Sequence, residues 1–289
     1  MADPSFPAPG LANAGPGGSP DRWRLLKHAA AAGAENMAID EAIGQAVAAG
    51  LAPPTLRFYA WAPPCVSLGR HQPFGAVDLD ACRAHGYDVV RRPTGGRAIL
   101  HTDELTYSVA APASHPLMAG MVLDAYLRIS HGLVEGLRCL GIAAEEAPGT
   151  NRAGPNVSAA CFEVPSAYEI VAGGRKLLGS AQHRNSAVVL QHGSLPLTGD
   201  LTRLVDCLAF AQPDQREALR ESLAGHATTV EEIAGRTVTL QEAAAAMIEG
   251  FQTALQVALV PAELSSTERG WAAELARAKY GQTEWTARL

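Results

Sequence analysis

Apolar side chains recur at helical spacing in several parts of the chain. The pattern predicts a helix over Glu35–Ala49, with Asn36 as its capping residue, and a longer helix over Val122–Leu140. A short helix is predicted over Asp78–His85 and is expected to end at Gly86. Further helices are predicted in the C-terminal part of the chain, over Leu201–Phe210, Gln215–Leu223, Leu240–Leu259 and Thr267–Tyr280.

Short runs between these segments are rich in β-branched and aromatic residues and predict strands. In the first half of the chain they cover Thr55–Trp61, Val66–Arg70, Asp88–Arg92, Ala98–His101 and Glu104–Ala110. In the second half, Ser166–Val171 and Lys176–Ala181 flank Gly173-Gly174, which is a strong hairpin signal. A further strand is predicted over Ala187–Leu190, continuing towards Leu195.

Strands interspersed with helices, without a regular βαβ alternation, favour an α/β (α+β) fold over a doubly wound parallel one. We therefore expect a mixed sheet flanked by helices, in one domain over residues 22–289 with a helical C-terminal portion. The first 21 residues are rich in Pro, Gly and Ala, which predicts a disordered leader. They lack the basic start and apolar block of a secretory signal.

Composition narrows the class of protein. Hydrophobic residues make up 47% and charged residues 18% of the 289 residues, which is typical of a globular protein. The formal charge of −6 argues against a nucleic-acid partner. No apolar run is long enough for a membrane span, so we expect a cytoplasmic protein without a membrane partner. The five cysteines are widely spaced without a CxxC pair, which predicts free thiols and no structural zinc.

The first candidate for chemistry is the turn Pro93-Thr94-Gly95-Gly96, which lies between two predicted strands. Glycine has no Cβ, so the backbone of such a turn can approach a ligand closely. The simpler alternative is a tight hairpin turn. The neighbouring arginines Arg91, Arg92 and Arg97 are candidates for holding a phosphate or carboxylate, or are solvated edge charges.

Two further segments carry candidate reactive side chains. Cys161 follows a loop rich in Gly, Pro and Asn and precedes a predicted strand, a common position for a functional residue. The alternative is a buried structural thiol. Lys176 is flanked by apolar residues, so its ammonium is a candidate for stabilising an oxyanion or a thiolate; otherwise it is an exposed lysine after a hairpin. The polar stretch Gln191–Ser194 either lines a site or forms a turn.

Taken together and in this order, these motifs resemble the biotin/lipoate A/B protein ligase superfamily. The resemblance runs from about Trp23 to the C-terminus. It rests on the segments Asn36–Ala42, Thr55–Tyr59 with Ser67–Gly69, Arg91–Ala98 with His101, and Gly174–Lys176 with Gly179–Gln182. The sequence Ala160-Cys161-Phe162 is similar to that of the cysteine-dependent octanoyl-[acyl-carrier-protein]:protein N-octanoyltransferases. Arg97 stands where the ligases have a third glycine, which also favours the transferase branch.

The resemblance implies a biotin/lipoate protein ligase-like fold and an octanoyltransferase of lipoate biosynthesis that works through a thioester on Cys161. Lys176 is the implied second catalytic residue. The implied substrate-binding residues are Arg91, Thr94, Gly95, Gly96, His101, Gly179, Ser180 and Ala181. Neither a cofactor nor a metal is implied.

The implied donor is acyl carrier protein, and the implied acceptor is a lysine of the glycine cleavage H protein or of the lipoyl domains of 2-oxoacid dehydrogenases. We expect a monomer, with Arg70, Arg91 and Arg92 steering the acidic carrier. Two alternatives remain open. One is an ATP-dependent lipoate-protein ligase, and the other is a non-catalytic acyl-binding protein of the same fold.

Overall fold

The computed structural model describes residues 20–147 and 169–289. Along the chain, its strands are β1 (Asp21–Lys27), β2 (Thr55–Tyr59), β3 (Cys65–Leu68), β4 (Asp88–Arg91), β5 (Ile99–His101), β6 (Glu104–Pro112), β7 (Ala144–Glu146), β8 (Ile170–Ala172), β9 (Arg175–Arg184), β10 (Val188–Pro196) and β11 (Val257–Pro261). The larger sheet has the order β11-β1-β2-β6-β10-β9-β8-β7, and a smaller sheet has the order β4-β3-β5. Strand β1 is parallel to both its neighbours, and the other pairs of the larger sheet are antiparallel. This architecture confirms the predicted mixed sheet.

The α-helices are α1 (Gly33–Ala48), α2 (Leu79–Ala84), α3 (Val122–Cys139), α4 (Pro213–His226), α5 (Val230–Ala234), α6 (Leu240–Leu255), α7 (Ser266–Leu275) and α8 (Thr283–Thr286). Helices α3 and α6 cover one face of the larger sheet and share its main hydrophobic core, to which Tyr107 and Phe251 contribute. Helices α1 and α7 cover the opposite face through a second core. The smaller sheet packs on α2, α4 and the 3₁₀ turn Leu201–Cys207.

Glycine permits the close contact between α3 and α6. A Cβ added at Gly250 would overlap the backbone of Gly132 and Gly136 on the facing helix. The two backbones can therefore approach more closely than side chains at these positions would permit. This contact fixes the helical layer that covers one face of the large sheet.

Several local predictions were wrong for identifiable reasons. Asn36 does not cap α1, because the helix begins earlier and the Asn36 amide instead donates to the carbonyls of Ala31 (3.1 Å) and Ala60 (2.9 Å). The helix predicted to run to Leu259 ends at Leu255, because Gln256 adopts a left-handed conformation (φ +55°). The residues after it form β11, which pairs with β1, and neither strand was predicted.

Smaller differences between prediction and structure concern the type of one helix, one missed strand and the start of β1. The helix predicted over Leu201–Phe210 is a 3₁₀ segment that ends at Cys207, and the short edge strand β7 was missed. Most of the predicted leader lies outside the described residues, and its last residue, Asp21, begins β1. None of the described helices is both long and apolar enough to cross a bilayer.

Candidate functional site

The loop between β4 and β5, residues 92–98, contains the Pro-Thr-Gly-Gly turn and is folded around one arginine. The guanidinium of Arg92 donates to the carbonyl oxygens of Ser67 (2.8 Å), Gly95 (2.8 Å) and Arg97 (2.7 Å). Gly96 has a φ of +90°, a conformation that favours glycine. The arginine and the glycine together explain why this sequence folds back so sharply. Arg92 is buried, so it is not one of the solvated edge charges considered above.

Thr94 connects this loop to the larger sheet. Its hydroxyl lies 2.6 Å from Nε2 of His192 on β10, and both residues are buried. On its other side, His192 Nδ1 lies 3.4 Å from a carboxylate oxygen of Asp40 in α1. Burial lowers the pKa of His192, so the ring is neutral near pH 7. The neutral ring can donate from Nδ1 to Asp40 and accept at Nε2 from the Thr94 hydroxyl.

Asp40 is the centre of a buried polar network below the loop. Its carboxylate accepts from Arg57 (2.7 Å), the Tyr59 hydroxyl (2.8 Å) and the Ser108 hydroxyl (2.8 Å). Burial alone would raise the pKa of Asp40, but Arg57 and His192 outweigh it and lower the pKa to about 2. The carboxylate is therefore ionised near pH 7. It fixes the orientation of His192, which in turn holds Thr94.

His101 belongs to a second buried network beside the first. Its Nδ1 lies 2.7 Å from Glu104, its Nε2 lies 2.8 Å from the Ser67 hydroxyl, and its ring stacks on Trp61 with centroids 4.0 Å apart. Burial works to raise the pKa of Glu104, but the contacts with His101 and with the Ser194 hydroxyl bring it below its ordinary value. Both nitrogens of His101 thus contact protein groups, and the network joins the two sheets.

Lys176 lies on β9 and is completely buried. Its Nζ lies 2.5 Å from a carboxylate oxygen of Glu169, which is also buried and compensates the ammonium charge. Lys176 is therefore not an exposed lysine after a hairpin, and its role in stabilising an oxyanion or a thiolate stays a prediction. Cys161 lies outside the described residues.

The predicted Gly-Ser-Ala segment follows Lys176 on the same strand. Ser180 Oγ lies 2.7 Å from the Tyr107 hydroxyl across β10, and a Cβ at Gly193 would stand 2.5 Å from the Tyr107 ring and 2.6 Å from Ser180 Oγ. Gly193 thus leaves room for that contact. Ala181 is in register with His192, the partner of Thr94. Through His192, the fold therefore places the Thr94 loop beside Ala181. Ala181 lies five residues, or about 16 Å, along β9 from Lys176.

The side chain of Arg91 donates to main-chain carbonyls and not to the polar side chains described above. Its Nε donates to the Thr286 carbonyl (2.9 Å), and its Nη1 donates to the carbonyls of Gly69 (2.8 Å) and Gln72 (2.6 Å). Substrate binding by Arg91 stays a prediction. Direct contact of a carrier protein with Arg91 or Arg92 is excluded, because both side chains are buried, whereas Arg70 is partly exposed. Steering of the carrier by these arginines stays a prediction.

Sequence reasoning missed the residues that support the site, namely Asp40, Arg57, Trp61, Glu104 and Glu169. A charged residue within an apolar run is the signal that was available, as at Arg57 in β2 and Asp40 in α1. The polar stretch Gln191–Ser194 does not form a turn. Its residues lie within β10 and are buried. Across residues 20–147 and 169–289, no group of three or more His, Cys, Asp and Glu side chains could hold a metal ion.

Comparison with known proteins identifies the class. The sequence profile of the lipoyl protein ligase A/B catalytic domain matches residues 32–252, and the chain belongs to this family. A bipartite lipoate protein ligase of Thermoplasma acidophilum has a similar fold, with a TM-score of 0.77 and 25% identity over 92% of this chain and 96% of that one.

The curated relatives are more similar in sequence. Octanoyltransferase LipM of Kyrpidia tusciae is 46% identical over 92% of this chain and 98% of its own length. Octanoyltransferase LipM of Symbiobacterium thermophilum is likewise 46% identical, over the same shares of the two chains.

Proposed function

We propose that this chain is an octanoyltransferase of lipoate biosynthesis. The observation that carries this proposal is the similarity to octanoyltransferases along nearly the whole chain, at 46% identity over 92% of its residues for the relative from Kyrpidia tusciae. The buried Lys176–Glu169 pair and the braced loop at Thr94 are the structural features that the reaction would use.

The reaction has two steps. The thiolate of Cys161 attacks the thioester carbonyl of the octanoyl donor, the carrier thiol leaves, and an octanoyl thioester forms on Cys161. The amine of an acceptor lysine then attacks this thioester, which gives an amide and releases the Cys161 thiol. Exchange of one thioester for another is nearly isoenergetic, and an amide is more stable than a thioester, so neither step needs ATP.

Lys176 is proposed to act in both steps. A cation near a thiol favours the thiolate, which is the nucleophilic form. An ammonium N–H can also stabilise the oxyanion that develops on the acyl carbonyl. Glu169 holds Nζ in place, so the donor needs no reorganisation during the reaction.

Five of the remaining predicted residues are proposed to form the acyl pocket, and substrate binding by His101 and Ser180 stays a prediction. Gly95, Gly96 and Thr94 would contribute from the loop, and Gly179 and Ala181 would contribute from β9. Each methylene of the acyl chain that is buried there adds about 0.8 kcal/mol to binding, so the pocket can select for chain length.

The proposed donor is octanoyl-acyl carrier protein, and the proposed acceptor is the glycine cleavage H protein or a lipoyl domain. The structural relative from Thermoplasma acidophilum was described together with its E2 lipoyl domain, which supports an acceptor of this kind. We also propose that the protein is a cytoplasmic monomer; light scattering on the purified protein tests the oligomeric state, and fractionation of the source cells tests the location.

The test is the intact mass of the protein after incubation with octanoyl-acyl carrier protein in the absence of ATP. We expect the mass of one octanoyl group to be added and then removed by hydroxylamine, which cleaves thioesters. The adduct should be absent from Cys161→Ala and present in Cys139→Ala, a control at a partly accessible cysteine. Addition of a lipoyl domain should transfer the group to the acceptor.

The same experiment distinguishes the alternatives. An ATP-dependent ligase would acylate the lipoyl domain from free octanoate and ATP, with no adduct from the carrier and no effect of Cys161→Ala. An acyl-binding protein would acylate the acceptor under neither condition. Either result would refute the proposed transferase.

A further inference from the structure

The C-terminal residues 283–289, which comprise α8 and the three residues after it, bind the strand that leads into the Thr94 loop. We call this segment the C-terminal strap. The indole Nε1 of Trp285 donates to the main-chain carbonyl of Arg91 (2.8 Å), and Arg91 Nε donates back to the carbonyl of Thr286 (2.9 Å). The strap thus holds both the backbone and the side chain of Arg91 at the end of β4.

Arg91 transmits this contact to the loop through the residues after β3. Its Nη1 donates to the Gly69 carbonyl (2.8 Å), while the amide of the next residue, Arg70, donates to the Thr94 carbonyl (2.8 Å). Gly69 also packs so closely on the loop that a Cβ there would overlap the carbonyl of Gly96. A displacement of Arg91 would therefore reach both Thr94 and Gly96.

The strap is itself fixed to α1. The Lys279 ammonium lies 4.1 Å from the centroid of the Trp285 ring and 2.6 Å from a Glu41 carboxylate oxygen. Arg288 packs on the same ring at 3.9 Å and donates to the Arg70 carbonyl (3.1 Å). These contacts hold the indole between two cations and fix the direction of its N–H.

Asp40 and Glu41 are adjacent in α1, and each supports the loop along a different path. Asp40 orients His192, which contacts the Thr94 hydroxyl, and Glu41 holds the strap through Lys279. The loop is therefore fixed from the large sheet on one side and from the C-terminus on the other.

We propose that the C-terminal strap is a positioning element of the acyl site, and that Trp285 and Arg91 are positioning residues that set the Thr94–Gly96 turn for the octanoyl chain. This inference rests on the proposed octanoyl transfer. A long acyl chain needs the turn in its correct place, whereas a short chain that does not reach the turn depends on it much less.

The test compares Trp285→Ala and Trp285→Phe with Arg277→Ala. Trp285→Phe keeps an aromatic ring for the two cations but removes the donor to Arg91, and Arg277→Ala removes an exposed ion pair with Glu274 elsewhere in the C-terminal region. We expect hydrogen exchange at the Arg70 amide to accelerate about fivefold or more in both Trp285 variants, since its bond to Thr94 is weakened. Amides in β6 and β10 should be unchanged.

The activity measurement compares octanoyl and butyryl carriers as donors. We expect kcat/KM for the octanoyl donor to fall about tenfold in the Trp285 variants, with a much smaller fall for the butyryl donor and no change in Arg277→Ala. An equal fall for both donors, or unchanged exchange at Arg70, would overturn the positioning role. If the unaltered protein transferred no octanoyl group, the proposed function would fail, while the exchange comparison would still decide whether the strap holds the loop.

Discussion

Lys176→Met removes the ammonium while keeping most of the side-chain volume, and its effect can be worked out from the burial of the ion pair. Lys176 is 0% exposed and Glu169 is 5% exposed, and their charged atoms are 2.5 Å apart. Removing one member of a buried pair leaves an uncompensated charge, which costs about 3–5 kcal/mol. We expect the free energy of unfolding to fall by about this amount, or by less if the Glu169 carboxyl takes up a proton.

The double variant Lys176→Met/Glu169→Leu separates stability from chemistry. Replacing both members of a buried ion pair by apolar side chains of similar volume is often neutral for stability. We therefore expect its unfolding free energy to be near that of the unaltered protein. Losing one oxyanion donor costs about 3 kcal/mol in the transition state, so the octanoyl-enzyme should form about 100-fold more slowly.

Urea denaturation measures the stability, and the rate of octanoyl-enzyme formation, followed by intact mass, measures the chemistry. A matched control is Arg24→Met/Glu268→Leu, which removes another buried ion pair, between β1 and α7, and should leave the rate unchanged. The charged atoms of this pair are 2.5 Å apart, and its side chains are 9% and 1% exposed. A stable Lys176→Met/Glu169→Leu variant that forms the octanoyl-enzyme at the unaltered rate would refute the catalytic role of Lys176.

Three further predictions concern stability. Burial lowers the pKa of His28 to about 4 and also lowers that of His192, so the unfolded chain binds more protons than the folded one between about pH 6.5 and pH 4. The unfolding free energy should therefore decrease as the pH is lowered through this range. The decrease should be less steep in His28→Asn, and an unchanged slope in that variant would contradict the reasoning. Gly250→Ala forces a Cβ into the facing helix and should lower the unfolding free energy by about 2 kcal/mol or more. Gly44→Ala, with no atom within 4 Å of the new Cβ, should raise it by up to about 1 kcal/mol. Equal melting temperatures of the two variants would contradict this expectation. Thr94→Val should cost about 1–3 kcal/mol by leaving His192 Nε2 unpaired, and Thr94→Ser, which keeps the hydroxyl, should cost less; denaturant titration of the two variants tests the difference.

Much of the local structure was predictable because local rules decide it. The Gly173-Gly174 turn joins β8 and β9 as expected, and both glycines have positive φ (57° and 74°), as a tight hairpin needs. The helix predicted over Val122–Leu140 is present as Val122–Cys139, since its apolar spacing fits one buried face. Both the turn and the helix depend on residues that are close together in the sequence.

The supporting contacts of the site were not predictable in the same way. Thr94 and His192 are 98 residues apart, and His192 and Asp40 are 152 residues apart. The apolar neighbours of Asp40 and Arg57 are a local signal of burial, but they do not indicate which distant group would compensate each charge. Their burial is possible only because they compensate each other, which depends on the pairing of distant elements.

The difference between local and long-range contacts also explains why the contacts of Arg91 and the pairing of β1 with β11 were not predicted. The order of the motifs is visible in the sequence, and that order was enough to indicate the family and the class of reaction. Only the tertiary structure placed Arg91 between Gly69 and Thr286, and only it paired β1 with β11 at the edge of the large sheet. Hydrogen bonds to a remote backbone carry no residue signature, because every residue offers the same carbonyl. Which residue reaches which carbonyl is therefore decided when the layers pack, not along the chain.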